Sequence, residues 1–249
     1  MGRSHLAIGA DMCGRFTQSV SLQDVIDKYR VRSAHSNEAL AEVADLDGGL
    51  RANYNLAPTE AAVAVLGDVD SRFISIAHFG HPVAFRGQPT PKLLINARAE
   101  TVLSKPSFSR SAREHRAVVP TNGYFEWLKA SGAKTPYFIH PTDEEVASLA
   151  ALWFAPDDNS AVANFVILTQ DASPDIAHIH DRMPVMVGAD LLASWLDVSL
   201  TDKAQVAELM ETVQAETAAR PMEYYPVTKA VSRAEFKSPT AMVPVAGQP

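Results

Sequence analysis

Apolar positions in this chain fall mostly at every second residue or in short unbroken runs, and only a few segments show the three-to-four spacing of a helix. The clearest helical pattern is Leu22, Val25, Ile26 and Tyr29 behind Ser21, a good N-cap, which predicts a helix over 21–30. A second starts at Asp202 and sets Val206, Leu209, Met210 and Val213 on one face over 202–217. Shorter helices are predicted over 98–104 and 107–114, divided by Pro106, and over 190–196, where Leu191, Leu192 and Trp195 would be buried. Strand patterns are more numerous: 61–66, 73–79, 93–96, 117–120, 124–128, 136–139, 149–154, 165–169, 184–187 and 223–226.

Strands that follow one another without regular intervening helices argue against a doubly wound parallel sheet. The pattern predicts the α+β class, as a single domain with a curled, mostly antiparallel sheet or pseudo-barrel flanked by short helices. No repeat or low-complexity stretch interrupts it. Residues 33–50 read as a polar surface excursion, and 53–59 (NYNLAPT) as a loop able to line a groove or simply to turn. The segment after Ser232 holds three prolines and is expected to wrap the surface. The domain is expected to span 13–245, with 1–12 as an N-terminal extension and 246–249 as a tail.

Composition narrows the class without naming a function. The 249 residues are 47% hydrophobic and 20% charged, ordinary for a globular protein. Residues 1–12 lack the apolar core of a secretory signal, and the longest apolar run, around Leu149–Ala155, is too short to cross a bilayer. A cytoplasmic protein with no membrane partner is expected. A single cysteine excludes an internal disulfide framework and any multi-thiolate metal site. The net charge of −7 gives no general attraction to nucleic acid, although Arg98, Lys105, Arg110, Arg113 and Arg116 face only Glu100 and Glu114 between Arg98 and Arg116. Taken alone, that local excess reads as a solvated helix face.

The candidate chemistry begins at Cys13, directly behind Met12. Were Cys13 the amino terminus, its α-amine and thiol would titrate at about 8 and about 8.5 in water. Such a pair condenses with an aldehyde to an imine, which the thiol closes into a five-membered ring. Three further clusters lie beside apolar strands. Glu126, between Phe125 and Trp127, is either a buried acid/base or a carboxylate on the wet face of a strand. A histidine such as His180 can donate or take a proton, but taken singly it reads more readily as an ordinary loop histidine. Its neighbours His178 and Asp181 suggest a metal only weakly, because no third ligand is apparent; no metal or cofactor is expected. Asn96 can hold an amine or a sugar oxygen, or cap a turn; Arg98 can clamp a phosphate or form a surface ion pair.

The segments MCGRFT, NYNLAPT, INARAET, VVPTNGYFEW and HDRMPV occur in this order from Met12 onward. Together they resemble the SRAP family, the SOS response-associated peptidases, over nearly the whole chain. The resemblance implies an abasic-site sensor that binds single-stranded DNA and forms a covalent thiazolidine crosslink through an N-terminal Cys13. Self-cleavage of a short N-terminal extension would expose that cysteine. Carried over by motif, Asn96 would position the reacting amine and sugar, Glu126 would transfer protons, and His180 would assist ring opening. Arg15, Arg98, Arg182 and Thr169 would contact phosphates, with Phe85 and Trp127 against bases; the protein would act as a monomer. Phe85 and the Ala77–Gly80 stretch depart from the family, which usually carries tryptophans there. Competing readings are a cysteine peptidase or amidohydrolase using Cys13 and His180, and a non-covalent single-stranded DNA-binding module.

Overall fold

The computed structural model describes residues 13–31, 33–34, 43, 49–68, 70–88, 90–130, 132–157 and 160–245. The expected extension at 1–12, most of the 33–50 excursion and the 246–249 tail lie outside them. Among the described residues the fold is built from strands, with few helices and two main sheets.

The first sheet has the order β15 (Met222–Pro226), β11 (Ala133–Pro141), β10 (Gly123–Ala130), β1 (Phe16–Gln18) and β3 (Asn53–Leu56), all antiparallel. The second runs β14 (Arg182–Pro184), β13 (Asn164–Asp171), β12 (Ala147–Phe154), β9 (Arg116–Thr121), β4 (Ala61–Leu66), β5 (Phe73–Phe79) and β2 (Ser33–Ala34). Strand β8 (Asn96–Arg98) pairs with β13 in parallel. A parallel pairing of β5 with β13 joins the ends of the β13–β12–β9–β4–β5 path, closing those strands into a ring. The curled sheet expected from the sequence is this ring. A hairpin of β6 (His81–Val83) and β7 (Lys92–Leu94) stands apart.

Ring strands carry apolar residues at successive positions because both of their faces are covered. Along β4, Val63 and Val65 face a core shared with the helices, whereas Ala62, Ala64 and Leu66 face a second core that contains Cys13, Phe16 and Tyr124. Helix α1 (Leu22–Tyr29) begins with a capping box between Ser21 and Asp24 and buries Val25 and Tyr29 in the first core. Helix α2 (Ser109–Glu114), α3 (Leu192–Leu196) and α4 (Lys203–Ala219) complete that side, with Trp195 fully buried.

Several expectations shift. The predicted helix at 98–104 is a series of turns that follow β8, with Thr101 N–H on Arg98 O and Ser104 N–H on Thr101 O. The predicted 107–114 helix begins only at Ser109, after Pro106. Predicted strand 93–96 divides at Ile95 into β7 and β8. Strand β14 ends at Pro184, and beyond it Val185 bonds to Leu168 O and Ala150 N–H and Val187 to Ser148 O. The expected loop at 53–59 starts with β3. The basic stretch is not a uniform surface: Arg116 is buried and donates to the carbonyls of Ala112, Arg113, Trp195 and Asp197.

Strand β1 sets the position of Cys13. It lies between β10 and β3, with Phe16 opposite both Tyr124 and Leu56, and Phe125 N–H bonded to Arg15 O. Gln18 ties it to the ring: its amide takes Val63 N–H and donates to Val63 O and Pro120 O. Beneath it, the rings of Phe16, Phe79 and Phe165 pack at 5.3–6.4 Å.

Candidate functional site

Cys13 lies buried just ahead of β1, against the β10 face that carries Tyr124 and Glu126. Residues two apart on a strand share a face, so Tyr124 and Glu126 project together while Phe125 joins a separate cluster with Phe138 and Val231. Of the two readings of Glu126, the structure has the buried one: the residue is 5% exposed.

Cys13 presents both its thiol and its backbone N–H to the Glu126 carboxyl. Burial pushes Glu126 above the usual carboxylate range, and the nearby His180 and Cys13 oppose that rise without cancelling it. Its Oε1 is buried without a partner. The thiol is also pushed well up, first by burial and then by the facing Glu126. The near-neutral thiol of a free terminal cysteine is therefore replaced here by a protonated S–H beside the Glu126 carboxyl.

Asn96 opens β8 and is a strand residue, not a turn cap. Its Nδ2 donates to Cys13 O at 3.4 Å and to Ile167 O at 3.5 Å, which leaves Oδ1 buried without a partner. His180 arrives from the loop between β13 and β14, anchored by Ile176 and Ile179 in the same core as Cys13. Its Nδ1 accepts Arg182 N–H at 3.0 Å, placing the neutral ring's hydrogen on Nε2. Asp181 stands 3.2 Å from the same Nδ1 and pairs with it when the ring is charged. The structure thus brings together all four residues expected to do chemistry.

The expected DNA-contacting residues divide. The Arg98 side chain is exposed, with no hydrogen bond or ion pair among the described residues. Phe85 is 38% exposed on the β6–β7 hairpin, with Lys92 Nζ 5.9 Å from its ring. Trp127 is half-buried and donates from Nε1 to Ser232 Oγ. Arg15 spends its guanidinium on Asn55 Oδ1, Val231 O and Ser232 O, all neutral acceptors, with the carboxylates of Glu60 and Glu235 near enough to act on its charge. Arg182 is buried, bidentate on Glu100, and also bonded to Asp171 and Thr169 O. Thr169 is fully buried in β13 and offers no surface to a phosphate.

Sequence reasoning did not single out Tyr124, whose hydroxyl is buried beside Cys13 and Glu126 without a partner. Its i, i+2 relation to Glu126 was the available signal. It also missed Glu100 and Asp171, the partners of Arg182. Among the described residues, no three His, Cys, Asp or Glu side chains converge to hold a metal, and no helix is long and apolar enough to cross a membrane.

The model of the SOS response associated peptidase (SRAP) family matches residues 12–234. This chain belongs to the SRAP family. Its similar relatives include abasic site processing protein YoqW of Bacillus subtilis (strain 168), 27% identical over 92% of this chain and 97% of that one. Abasic site processing protein YedK of Escherichia coli (strain K12) is 27% identical over 94% and 100%. HMCES of Gallus gallus, with the same description, is 27% identical over 80% and 68%. A crystal structure of a Bacteroides thetaiotaomicron protein covers 94% of this chain and all of its own, with TM-score 0.72 at 24% identity, which establishes a common fold. The SRAP match spans both sheets and every residue of the Cys13 cluster.

Proposed function

We propose that this protein captures abasic sites in single-stranded DNA as a covalent adduct of Cys13, once residues up to Met12 have been removed to free its amine. The observation that carries the reading is that one buried carboxyl, Glu126, faces both the nitrogen and the sulfur of Cys13. Those are the two atoms that a thiazolidine joins to the aldehyde carbon. Family membership and the descriptions of YoqW, YedK and HMCES support abasic-site processing as the general activity.

The chemistry balances within the site. The open-chain sugar presents an aldehyde, and the Cys13 amine adds to its carbon. Asn96 Oδ1, whose own amide is held on Cys13 O, accepts a hydrogen bond from that amine, and the proton the nitrogen loses passes to the carbonyl oxygen. Glu126, whose hold on its proton burial strengthens, gives that proton to the departing hydroxyl, which leaves as water. The thiol then attacks the iminium carbon and its proton returns to Glu126. The sum is aldehyde plus aminothiol going to thiazolidine plus water. His180, with its Nε2–H free, serves hemiacetal opening. Arg98, Arg15, Phe85 and Trp127 guide the strand, while Arg182 and Thr169 brace the rim from within. Removal of residues 1–12 is self-cleavage at the same cysteine.

The cysteine-hydrolase alternative requires a thiolate–imidazolium pair, which depresses a thiol's pKa. Here the thiol is raised, and its facing group is Glu126. The test uses an oligonucleotide carrying one abasic site, run on a denaturing gel, with intact mass to read the amino terminus. A retarded band that depends on a Cys13 start and disappears in Cys13→Ala supports the proposal. Peptide turnover without such a band supports the hydrolase. A complex seen only on native gels supports the non-covalent module.

A further inference from the structure

The chemistry above gives Tyr124 no task, yet its position is hard to explain as packing alone. The ring is 1% exposed in the core that holds Cys13, Phe16 and Ile139. Phenylalanine would fill that volume equally well. The hydroxyl instead sits buried with no hydrogen-bond partner, an arrangement that costs stability unless something arrives to satisfy it.

Around Cys13 the partnerless atoms are complementary. Asn96 Oδ1 is an acceptor, Glu126 Oε1 belongs to the proton-transferring carboxyl, and Tyr124 OH is a donor. Tyr124 and Glu126 lie on one face of β10, two residues apart, and Cys13 and Glu126 are both close enough to the phenol to oppose its ionisation. When an amine nitrogen adds to an aldehyde, the π electrons move to the carbonyl oxygen, and negative charge grows there. A fixed donor in a water-poor site is most effective at that atom.

We propose that Tyr124 is a further catalytic residue, its phenol O–H donating a hydrogen bond to the C1′ oxygen of the substrate aldehyde as the Cys13 amine adds. This rests on the thiazolidine reading of the site. The phenol keeps its proton throughout: the nitrogen's proton passes to the C1′ oxygen, Glu126 supplies the second proton with which it leaves as water, and Tyr124 only stabilises the charge between. Burial and the neighbouring Cys13 and Glu126 hold the phenol far above its ordinary pKa, which suits a donor and not a base.

The test is Tyr124→Phe in protein that begins at Cys13. Single-turnover crosslinking to an abasic oligonucleotide is followed at saturating protein, beside binding of the same strand without the lesion and thermal unfolding. The expected result is a fall in crosslinking rate on the order of 10²-fold, the effect of removing one oxyanion donor. Intact-strand affinity should be unchanged, and the melting temperature equal or higher because an unpaired hydroxyl has gone. A rate within about twofold of the parent, or a loss matched by weaker binding or a lower melting temperature, overturns the assignment and leaves the thiazolidine reading in place. A parent protein that forms no adduct overturns both.

Discussion

Cys13 and Glu126 face one another in a space closed to water, and each changes the other's chemistry. Glu126 helps to push the thiol's pKa up, while Cys13 partly restrains the rise that burial imposes on the carboxyl. At neutral pH the pair therefore starts with S–H beside a carboxyl that readily exchanges protons. A resting thiol is protected from oxidation, since the thiolate is the reactive form. It becomes a nucleophile only when an electrophilic carbon is already in place.

Glu126→Gln keeps the shape of the site and removes its titrating proton. Crosslinking should slow by about 10²- to 10⁴-fold, the usual weight of a positioned acid/base. Binding of a strand without the lesion should stay near the parent value. Time courses on denaturing gels and a binding titration check the two halves, and an unchanged rate would remove Glu126 from the mechanism.

The same residue makes stability depend on pH. A carboxyl with a raised pKa in the folded state binds its proton more tightly there than in the unfolded chain. Its stabilising contribution is complete below the ordinary carboxylate pKa and is lost as pH rises through the folded value. Glu126→Gln lacks that loss. The melting temperature of the variant relative to the parent should therefore climb as pH rises above the ordinary carboxylate range. Calorimetry at several pH values gives the difference, and a flat or falling one contradicts the assigned shift.

Arg98 and Arg182 resemble each other in sequence but not in structure. Arg98→Ala removes an exposed, unpaired cation, so folding should be unaffected. Binding to intact and abasic strands should weaken alike, with the salt slope reduced by about 0.7, one phosphate's worth on a single strand. Arg182→Ala empties a buried position held by Glu100, Asp171 and Thr169 O. Both carboxylates are partly or largely exposed, so the loss should be about 1–2 kcal/mol, less than for a fully buried pair. Denaturant unfolding and salt titrations separate the two effects.

Ring strands such as β4 and β5 were legible because burial on both faces leaves a continuous apolar run. Strand β1 was not: Thr17 and Gln18 are polar yet buried, and their partners lie 45 to 106 residues away. No local pattern encodes such satisfaction. The site was readable where chemistry demands unusual residues, as with Cys13 and with Glu126 between aromatics. It was unreadable where an ordinary strand former, Tyr124, was placed beside the nucleophile. Nor does any local pattern show that Arg182 is bonded to Glu100, 82 residues away, and to Asp171.

Asn55 is the residue through which the C-terminal segment is attached to the site. Its Nδ2 reaches Val231 O, Arg233 O and Phe236 O at 3.0–3.1 Å, and its Oδ1 takes Arg15 Nη1 at 3.1 Å. Arg15 in turn holds Val231 O and Ser232 O and lies two residues from Cys13. Asn55→Ala should cost about 3 kcal/mol, because buried carbonyls and a guanidinium lose their partner together. Asn55→Asp keeps the acceptor for Arg15 but sets a charge against three carbonyl oxygens, so it should be no better tolerated. Both variants should expose the segment from Lys229 to Met242 to protease before the sheets unfold, and both should slow crosslinking through a loosened Arg15. If either variant retains parent stability and protease resistance, the segment is held by other contacts, and its link to Cys13 through Asn55 and Arg15 does not operate.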